Sequence, residues 1–469
     1  MRVRTGASAA LLLLTIAGGG LFAQAGHVSL TVDQAVARAL ANQPLLQQAQ
    51  AAVEAARARV GEANSAYYPF VNGTASYNRL SDQSFSIASA LPPGLPLSSL
   101  IGSNPSPIVL GLLESPLSLV PLNAWDFNVG FNQVIFQFGK RGIQVKLAES
   151  GVAAAQIGVD QIRSSLAYQA AQGFCTVLFL KGQLAALDTQ LANLKEHLDA
   201  TRVKAQTGTA TRYDELSTEV RISTLESQRI EADNQLTRQS IGLEQLLGIE
   251  ESSTLDLQGE FTVEKPGPRD EQALLDIAMA RRADVRQAAE GERSAELGRR
   301  LATVNGWPTI SGHASFGYKN GILPDINTPA LNWVAGVQVN VPIFQGLLIE
   351  KQEEEADSKL LAARENTLAV KRTAATQVRQ AVQDVESARS QIGSADTQLR
   401  QAGDMLEVVK LQYDLGMLSN LEYLDAQAAL ERAQLGSLQA RYREVLSEYA
   451  LKLATGTPIW ETPPAAPQN

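Results

Sequence analysis

The sequence holds one cysteine in 469 residues, three histidines, and only 6% aromatic residues. Cys175 alone excludes an internal disulfide framework and any multi-cysteine zinc or iron–sulfur site. His27, His197 and His313 are too widely scattered for a metal-ligand pattern or a nucleophile–base pair. No phosphate-binding Gly-x-x-x-x-Gly-Lys loop and no catalytic-triad spacing occurs, so neither an enzyme nor a bound cofactor or metal is expected. Basic charge is also in deficit: 40 Lys+Arg against 49 Asp+Glu give a formal net charge of −9. That argues against a nucleic-acid binder, whose phosphate contacts need clustered Lys and Arg. Beyond the amino terminus no run of about 18 uninterrupted apolar residues appears, so no membrane-crossing helix is expected. An exported chain without such helices can span a membrane only as a closed β-barrel.

What is present begins with an export signal. Arg2 and Arg4 precede an apolar core from Ala9 to Gly20, and Ala23-Gln24-Ala25 reads as a small-x-small cleavage site. Residues 1–25 are therefore expected to be a signal peptide, leaving 26–469 as the mature chain. Loss of the two arginines would shift the net charge from −9 to −11. No cysteine follows the site, so a lipid-anchored start is not expected.

The mature chain repeats itself. Ala63 through Tyr67-Tyr68-Pro69, with Gly73 and Ser76-Tyr77, returns as Ala302 through Trp307-Pro308, with Gly312 and Ser315-Phe316, at an offset of 239. Trp125, Ile135-Phe136-Gln137, Gly208 and Leu216 return as Trp333, Ile343-Phe344-Gln345, Gly416 and Leu424, at an offset of 208. Two homologous halves follow, about 33–250 and 272–455. The difference between the offsets falls in a longer Pro- and Gly-rich loop between Leu80 and Trp125.

Each half carries one very long helical pattern and two shorter ones. Lys140 to Thr207 and Leu347 to Leu415 have no interior proline and would each extend ~100 Å at ~1.5 Å per residue. The shorter stretches are 33–66, with a break or kink expected at Pro44, and 212–247, then 272–305 and 419–453. Leu180, Leu184, Leu187, Leu191, Leu194 and Leu198 form a heptad seam. Ile392, Ala395, Leu399, Ala402, Leu406, Val409 and Tyr413 repeat it in register. Such spacing packs against neighbouring helices by knobs into holes.

Four segments alternate with period two: about 70–80, 125–137, 308–318 and 332–343. A soluble antiparallel sheet with one solvated face alternates in the same way as a membrane barrel strand. The export signal and the flanking long helices favour the barrel. Four strands are too few to close one, so several chains must contribute.

At the opposite helix ends lie two turns, Thr207-Gly208-Thr209-Ala210-Thr211 and Leu415-Gly416-Met417-Leu418-Ser419. Gly208 and Gly416 fit left-handed caps, and Thr211 and Ser419 fit N-caps. Asp214 and Glu422 sit six residues beyond each glycine. Asp425 shares a helix face with Glu422. Acids in a first turn can simply complement the helix dipole.

The duplicated halves resemble the TolC-like outer-membrane efflux channel family. So do the Tyr-Tyr-Pro and Trp-Pro junctions, Val341-Pro342-Ile343-Phe344, and Tyr413-x-x-Gly416 followed by Leu424-Asp425-Ala426. The resemblance covers nearly all of the mature chain. It implies a mainly α fold with transmembrane β: a homotrimer whose four strands per chain make one twelve-stranded barrel, continuous with a long α-helical barrel. It places the protein in the outer membrane of a Gram-negative-type cell, in contact with outer-membrane lipid and extending into the periplasm. The implied function is passive efflux of drugs, metals or other exported substrates, received from an inner-membrane transporter and a periplasmic adaptor.

The same resemblance assigns Asp214, Tyr413, Glu422 and Asp425 to the periplasmic constriction, the last two as stacked acidic rings selecting cations. It makes the turns at Gly208, Thr211, Gly416 and Ser419 docking sites for the adaptor. Where some members carry a basic gate residue, this chain has Leu418, so a closing ion pair there is absent or relocated. The unusually apolar loop 108–122 could cover the barrel mouth, touch lipid or bind a partner. The competing reading is a non-conducting periplasmic coiled-coil structural or adaptor protein.

Overall fold

The computed structural model describes residues 28–81, 120–249, 255–259, 261, 270–322 and 325–460. The expected signal segment and residues 108–119 of the apolar loop lie outside the described residues.

The first run of elements is β1 (Val28–Leu30), α1 (Val32–Asn42), α2 (Pro44–Ser65), β2 (Phe70–Arg79), β3 (Asn123–Phe136), α3 (Lys140–Gln206), α4 (Arg212–Leu247) and β4 (Leu255–Leu257). The second is α5 (Glu271–Arg281), α6 (Ala283–Asn305), β5 (Thr309–Lys319), β6 (Ala330–Asn340), α7 (Leu348–Asp414) and α8 (Asn420–Thr455). The long helices α3 and α7 both have 67 residues, and the helices that follow them both have 36. The short pairs measure 11 and 22 residues, then 11 and 23.

Local chemistry explains the breaks. Pro44 opens α2, at a position where its missing N–H would have had no helical partner. The second short stretch breaks too, without proline. Arg282 adopts an extended ψ of 130° and donates Nη2 to Asp284 Oδ2 at 2.7 Å and to Gln377 Oε1 at 2.7 Å. A side chain that bonds across the break replaces the backbone bond the helix gives up.

Two compact units divide the chain. One comprises Met1–Pro44, Arg163–Leu274 and Val378–Asn469. Its largest core packs Leu166, Ala167, Ala170, Ala171 and Phe174 of α3 against Val36 and Ala39 of α1, Leu243 and Leu247 of α4, and the parallel pair β1–β4. A stretch of α3 is apolar enough, by length and composition alone, to cross a membrane, although it holds no uninterrupted apolar run. Leu166, Ala170, Phe174 and Val177 of this helix are buried in the core just described. Asn42 and Gln43 donate to the carbonyls of Leu247, Gln245 and Leu246, satisfying the last carbonyls of α4.

The leucine seam of α3 is buried from Leu187 to Leu198 against Ile222, Leu225 and Ala232 of α4. By contrast, the matching seam of α7, Ile392 to Tyr413, is only half-buried.

The second unit comprises Leu45–Ile162 and Leu275–Gln377 and contains the four-stranded antiparallel sheet, in the order β2-β3-β5-β6. Register places Tyr77 opposite Trp125, Phe127 opposite Tyr318, and Phe316 opposite Trp333, so one face is continuously apolar. That face is uncovered: Trp125, Phe127, Phe316, Trp333, Val337 and Val339 are all exposed. A bulge between Val134 and Phe136 puts Phe136, rather than Ile135, opposite Ile310. Gly317 permits the close pairing of β3 and β5, since a Cβ there would lie 2.0 Å from the Phe127 carbonyl oxygen. β6 ends at Asn340, just before Pro342, which cannot donate to a ladder.

Candidate functional site

The expected site residues lie around the two helix–helix turns, all within the first unit. Each turn closes its long helix in the same way. Thr209 N–H donates to Lys204 O at 2.9 Å and Gly208 N–H to Ala205 O at 3.1 Å. Met417 N–H donates to Gln412 O at 2.8 Å and Gly416 N–H to Tyr413 O at 3.0 Å. This double bonding requires a left-handed residue, supplied by Gly208 at φ 79° and Gly416 at φ 72°.

Next come two reciprocal capping boxes. Asp214 Oδ2 accepts from Thr211 N–H at 2.8 Å and from its hydroxyl at 2.7 Å. Glu422 Oε2 accepts from Ser419 N–H and hydroxyl, both at 2.8 Å. The Ser419 backbone N–H first, and its hydroxyl second, hold the Glu422 carboxyl below the usual glutamate value. Both acids are thus anchored to their own caps, while Asp425 is exposed one turn further along α8.

Tyr413 is joined to neighbours rather than to Asp214. Its ring stacks on Tyr423 at 5.3 Å and 26°, and Lys204 Nζ stands 4.2 Å from its centroid. Lys204 also pairs with Asp414 at 3.5 Å, linking the end of α3 to the end of α7. An ion pair therefore bridges the two helix ends although Leu418 is uncharged. Both partners are substantially exposed, so the pair is worth at most about 1 kcal/mol.

Sequence reasoning did not single out the two residues at the centre of this arrangement. Buried His197 of α3 meets Asn420 Oδ1 through Nε2 at 2.7 Å. Asn420, also buried, donates Nδ2 to the Asp214 carbonyl at 3.0 Å and to the hydroxyls of Ser217 and Thr218 at 3.2 Å. One side chain at the first position of α8 thus connects α3, α4 and α8. The available signal was a histidine inside a leucine seam, directly before Leu198.

Burial is the main force lowering the proton affinity of His197 from its ordinary value. The Asn420 bond opposes it, Lys204 and Lys410 add to it, and Asp414 opposes it. Further along, charged pairs tie α8 to its neighbours: Arg221 of α4 to Glu431 at 2.6 Å, Arg389 of α7 to Glu444 at 3.4 Å, and Asp396 of α7 to Arg441 at 3.1 Å. Among the described residues no cluster of His, Cys, Asp and Glu has the makings of a metal site.

Comparison with known proteins gives a consistent likeness. The family model described as "Outer membrane efflux protein" matches residues 35–249 and 274–457. The outer membrane protein TolC of Escherichia coli is 24% identical over 350 residues, covering 71% of this chain and 70% of TolC. The Campylobacter jejuni CmeC outer membrane channel superposes with a TM-score of 0.73 at 19% identity, covering 91% of this chain and 85% of that one. The Vibrio cholerae outer membrane protein VceC superposes with a TM-score of 0.71 at 17% identity, covering 91% and 96%. These structural likenesses concern the fold.

Proposed function

Since the chain belongs to the outer membrane efflux protein family, we propose that it is the passive outer-membrane exit duct of a tripartite export system. The protein is an outer-membrane protein of a Gram-negative-type cell. In this reading it takes small exported molecules from an inner-membrane transporter and a periplasmic adaptor and releases them outside.

The uncovered apolar face of the sheet is the observation that carries the reading. An exposed apolar surface of this extent needs lipid or another protein against it. Trp125 and Phe136 stand eleven residues apart within β3, and the bulge between Val134 and Phe136 brings both to the apolar face. At ~3.3 Å per residue and a tilt of ~45°, eleven residues rise ~25 Å, the height of an outer-membrane apolar band.

Among the described residues the strands β2 and β6 each have a neighbour on one side only, and open edges inside lipid are not tolerated. Three copies would supply twelve strands and remove those edges. Covering by a second copy would also explain why the α7 seam is half-buried while the α3 seam is buried. In the trimer, Glu422 and Asp425 would form two acidic rings at the periplasmic entrance, with Asp214 and Tyr413 bordering them. The turns at Gly208, Thr211, Gly416 and Ser419 would receive the adaptor. The repeated element order supports an origin by duplication of 33–250 and 272–455.

The test is conductance of the purified, intact trimer in planar bilayers. Cation-selective channels are expected. Trimers that insert and carry no current would favour a non-conducting structural role.

A further inference from the structure

The two hairpins of the sheet share one register. Raising every residue of β2 by 239 and its partner in β3 by 208, the offsets read from the sequence, turns each pair of the first hairpin into a pair of the second. Phe70 opposite Asn132 becomes Thr309 opposite Asn340, and Arg79 opposite Asn123 becomes Tyr318 opposite Leu331. The hairpins are joined through β3 and β5, where Gly130 lies opposite Ser315 and Phe131 opposite Ala314. At the same offsets β6 is the counterpart of β3 and β2 the counterpart of β5. Among the described residues these two strands carry the open edges of the sheet.

We propose that β6 of one copy pairs antiparallel with β2 of the next in the register of β3 with β5, which sets Val337 opposite Tyr77, Gln338 opposite Ser76 and Val339 opposite Ala75. The proposal rests on the trimeric duct reading above and adds to it the residue pairs that close the barrel.

The two edges suit each other in this register. Thr74 to Arg79 and Val337 to Asn340 are all exposed and so open to a neighbouring strand. The faces stay in phase: Val337 and Val339 meet Tyr77 and Ala75 on the apolar side, while Gln338 and Asn340 meet Ser76 and Thr74 on the polar side. A slip of one residue would exchange the faces. Residue size discriminates further. Within the chain Asn128 lies opposite Gly317, where a Cβ has no room. Between copies Gly336 of β6 would face Asn78 of β2, the same pair with its strands exchanged. A slip of two residues keeps the faces but separates Gly336 from Asn78. Just beyond β6, Pro342 stands at the counterpart of Val134, where the β3–β5 pairing gives way to a bulge. A residue without an N–H is tolerated at a bulge and not inside a ladder.

The experiment places cysteine pairs in the full-length protein, leaving the buried Cys175 unchanged. The matched pairs are Ser76→Cys with Gln338→Cys and Ala75→Cys with Val339→Cys; the slipped pairs are Thr74→Cys or Asn78→Cys with Gln338→Cys. Intact trimers are oxidised with copper phenanthroline, denatured without reductant and separated on gels. Opposite residues have Cα atoms ~4.5–5.5 Å apart, within disulfide range, whereas a two-residue slip moves them to ~7–8 Å, beyond it. Both matched pairs should yield covalent dimers and trimers that reductant removes, and the slipped pairs should lose that product. The matched pairs lie on opposite faces, so one reports even if the other fails to assemble. Product mainly from a slipped pair, or none from a matched pair in intact trimers, overturns the proposed register. Matched pairs that cross-link in trimers carrying no current overturn the duct reading and leave the pairing standing.

Discussion

Arg221 of α4 and Glu431 of α8 meet at 2.6 Å, with the glutamate buried and the arginine still partly hydrated. Removing one partner of such a pair strands the other. Glu431→Ala is expected to cost about 2–3 kcal/mol, less than a fully buried pair because Arg221 can regain water. Replacing both residues by leucine should cost much less. Thermal denaturation of the detergent-solubilised trimer would separate the two outcomes.

Asn420→Ala removes the donor shared by Asp214, Ser217 and Thr218 and the acceptor of His197. A loss of about 2–3 kcal/mol is expected, since the buried partners stay behind. The measurement is limited proteolysis at the Thr207–Thr211 turn, which should accelerate. A cutting rate equal to wild type would mean that Asn420 does not hold the turns.

Neutralising Glu422 and Asp425 should reduce cation selectivity. Glu422→Gln is the cleaner variant, because glutamine in this position still completes a capping box with Ser419. The reversal potential across a salt gradient should move towards zero for Glu422→Gln with Asp425→Asn. An unchanged potential would place both side chains away from the constriction.

The same glutamate predicts an acid step. Its folded value lies below the ordinary 4.5, so the cap stabilises fully above about 4.5 and is lost as pH falls through the folded value. Exchange at the first turn of α8 should therefore rise below pH 4.5. That rise should vanish in Glu422→Gln.

Gly317→Ala should abolish assembly, because its Cβ would lie 2.0 Å from the Phe127 carbonyl oxygen within the β3–β5 ladder. Gly73→Ala, with open space at its Cβ, is the matched control. Heat-resistant trimers on gels should persist in the control alone.

These positions also mark how far the sequence could be read. The long helices were legible because 3.6-residue periodicity runs unbroken from Lys140 and from Leu348. The strands were legible because residues such as Phe127 and Phe316 alternate with polar neighbours. Capping at Thr211 and Ser419 is purely local, and local signals survive in sequence. The break at Arg282 was not legible, because it depends on Gln377, a residue about 95 positions away. Strands β1 and β4 were too short to show a period. The His197–Asn420 bond joins residues 223 positions apart, and a histidine inside a leucine seam flags one partner without naming the other.

The pairing of β3 with β5 also sets a timetable. Phe127 is matched with Tyr318, which emerges about 190 residues later. At ~5–20 residues per second, the hairpin β2–β3 is synthesised roughly 10–40 s before its partner strand exists. For that interval the edge of β3 that carries Phe127, Val129 and Phe131 lacks the strand with which it pairs in the folded protein. An exposed apolar edge of this kind recruits other strands indiscriminately. Pairing with β5 closes that edge, so the two hairpins are expected to fold as one unit rather than in their order of synthesis.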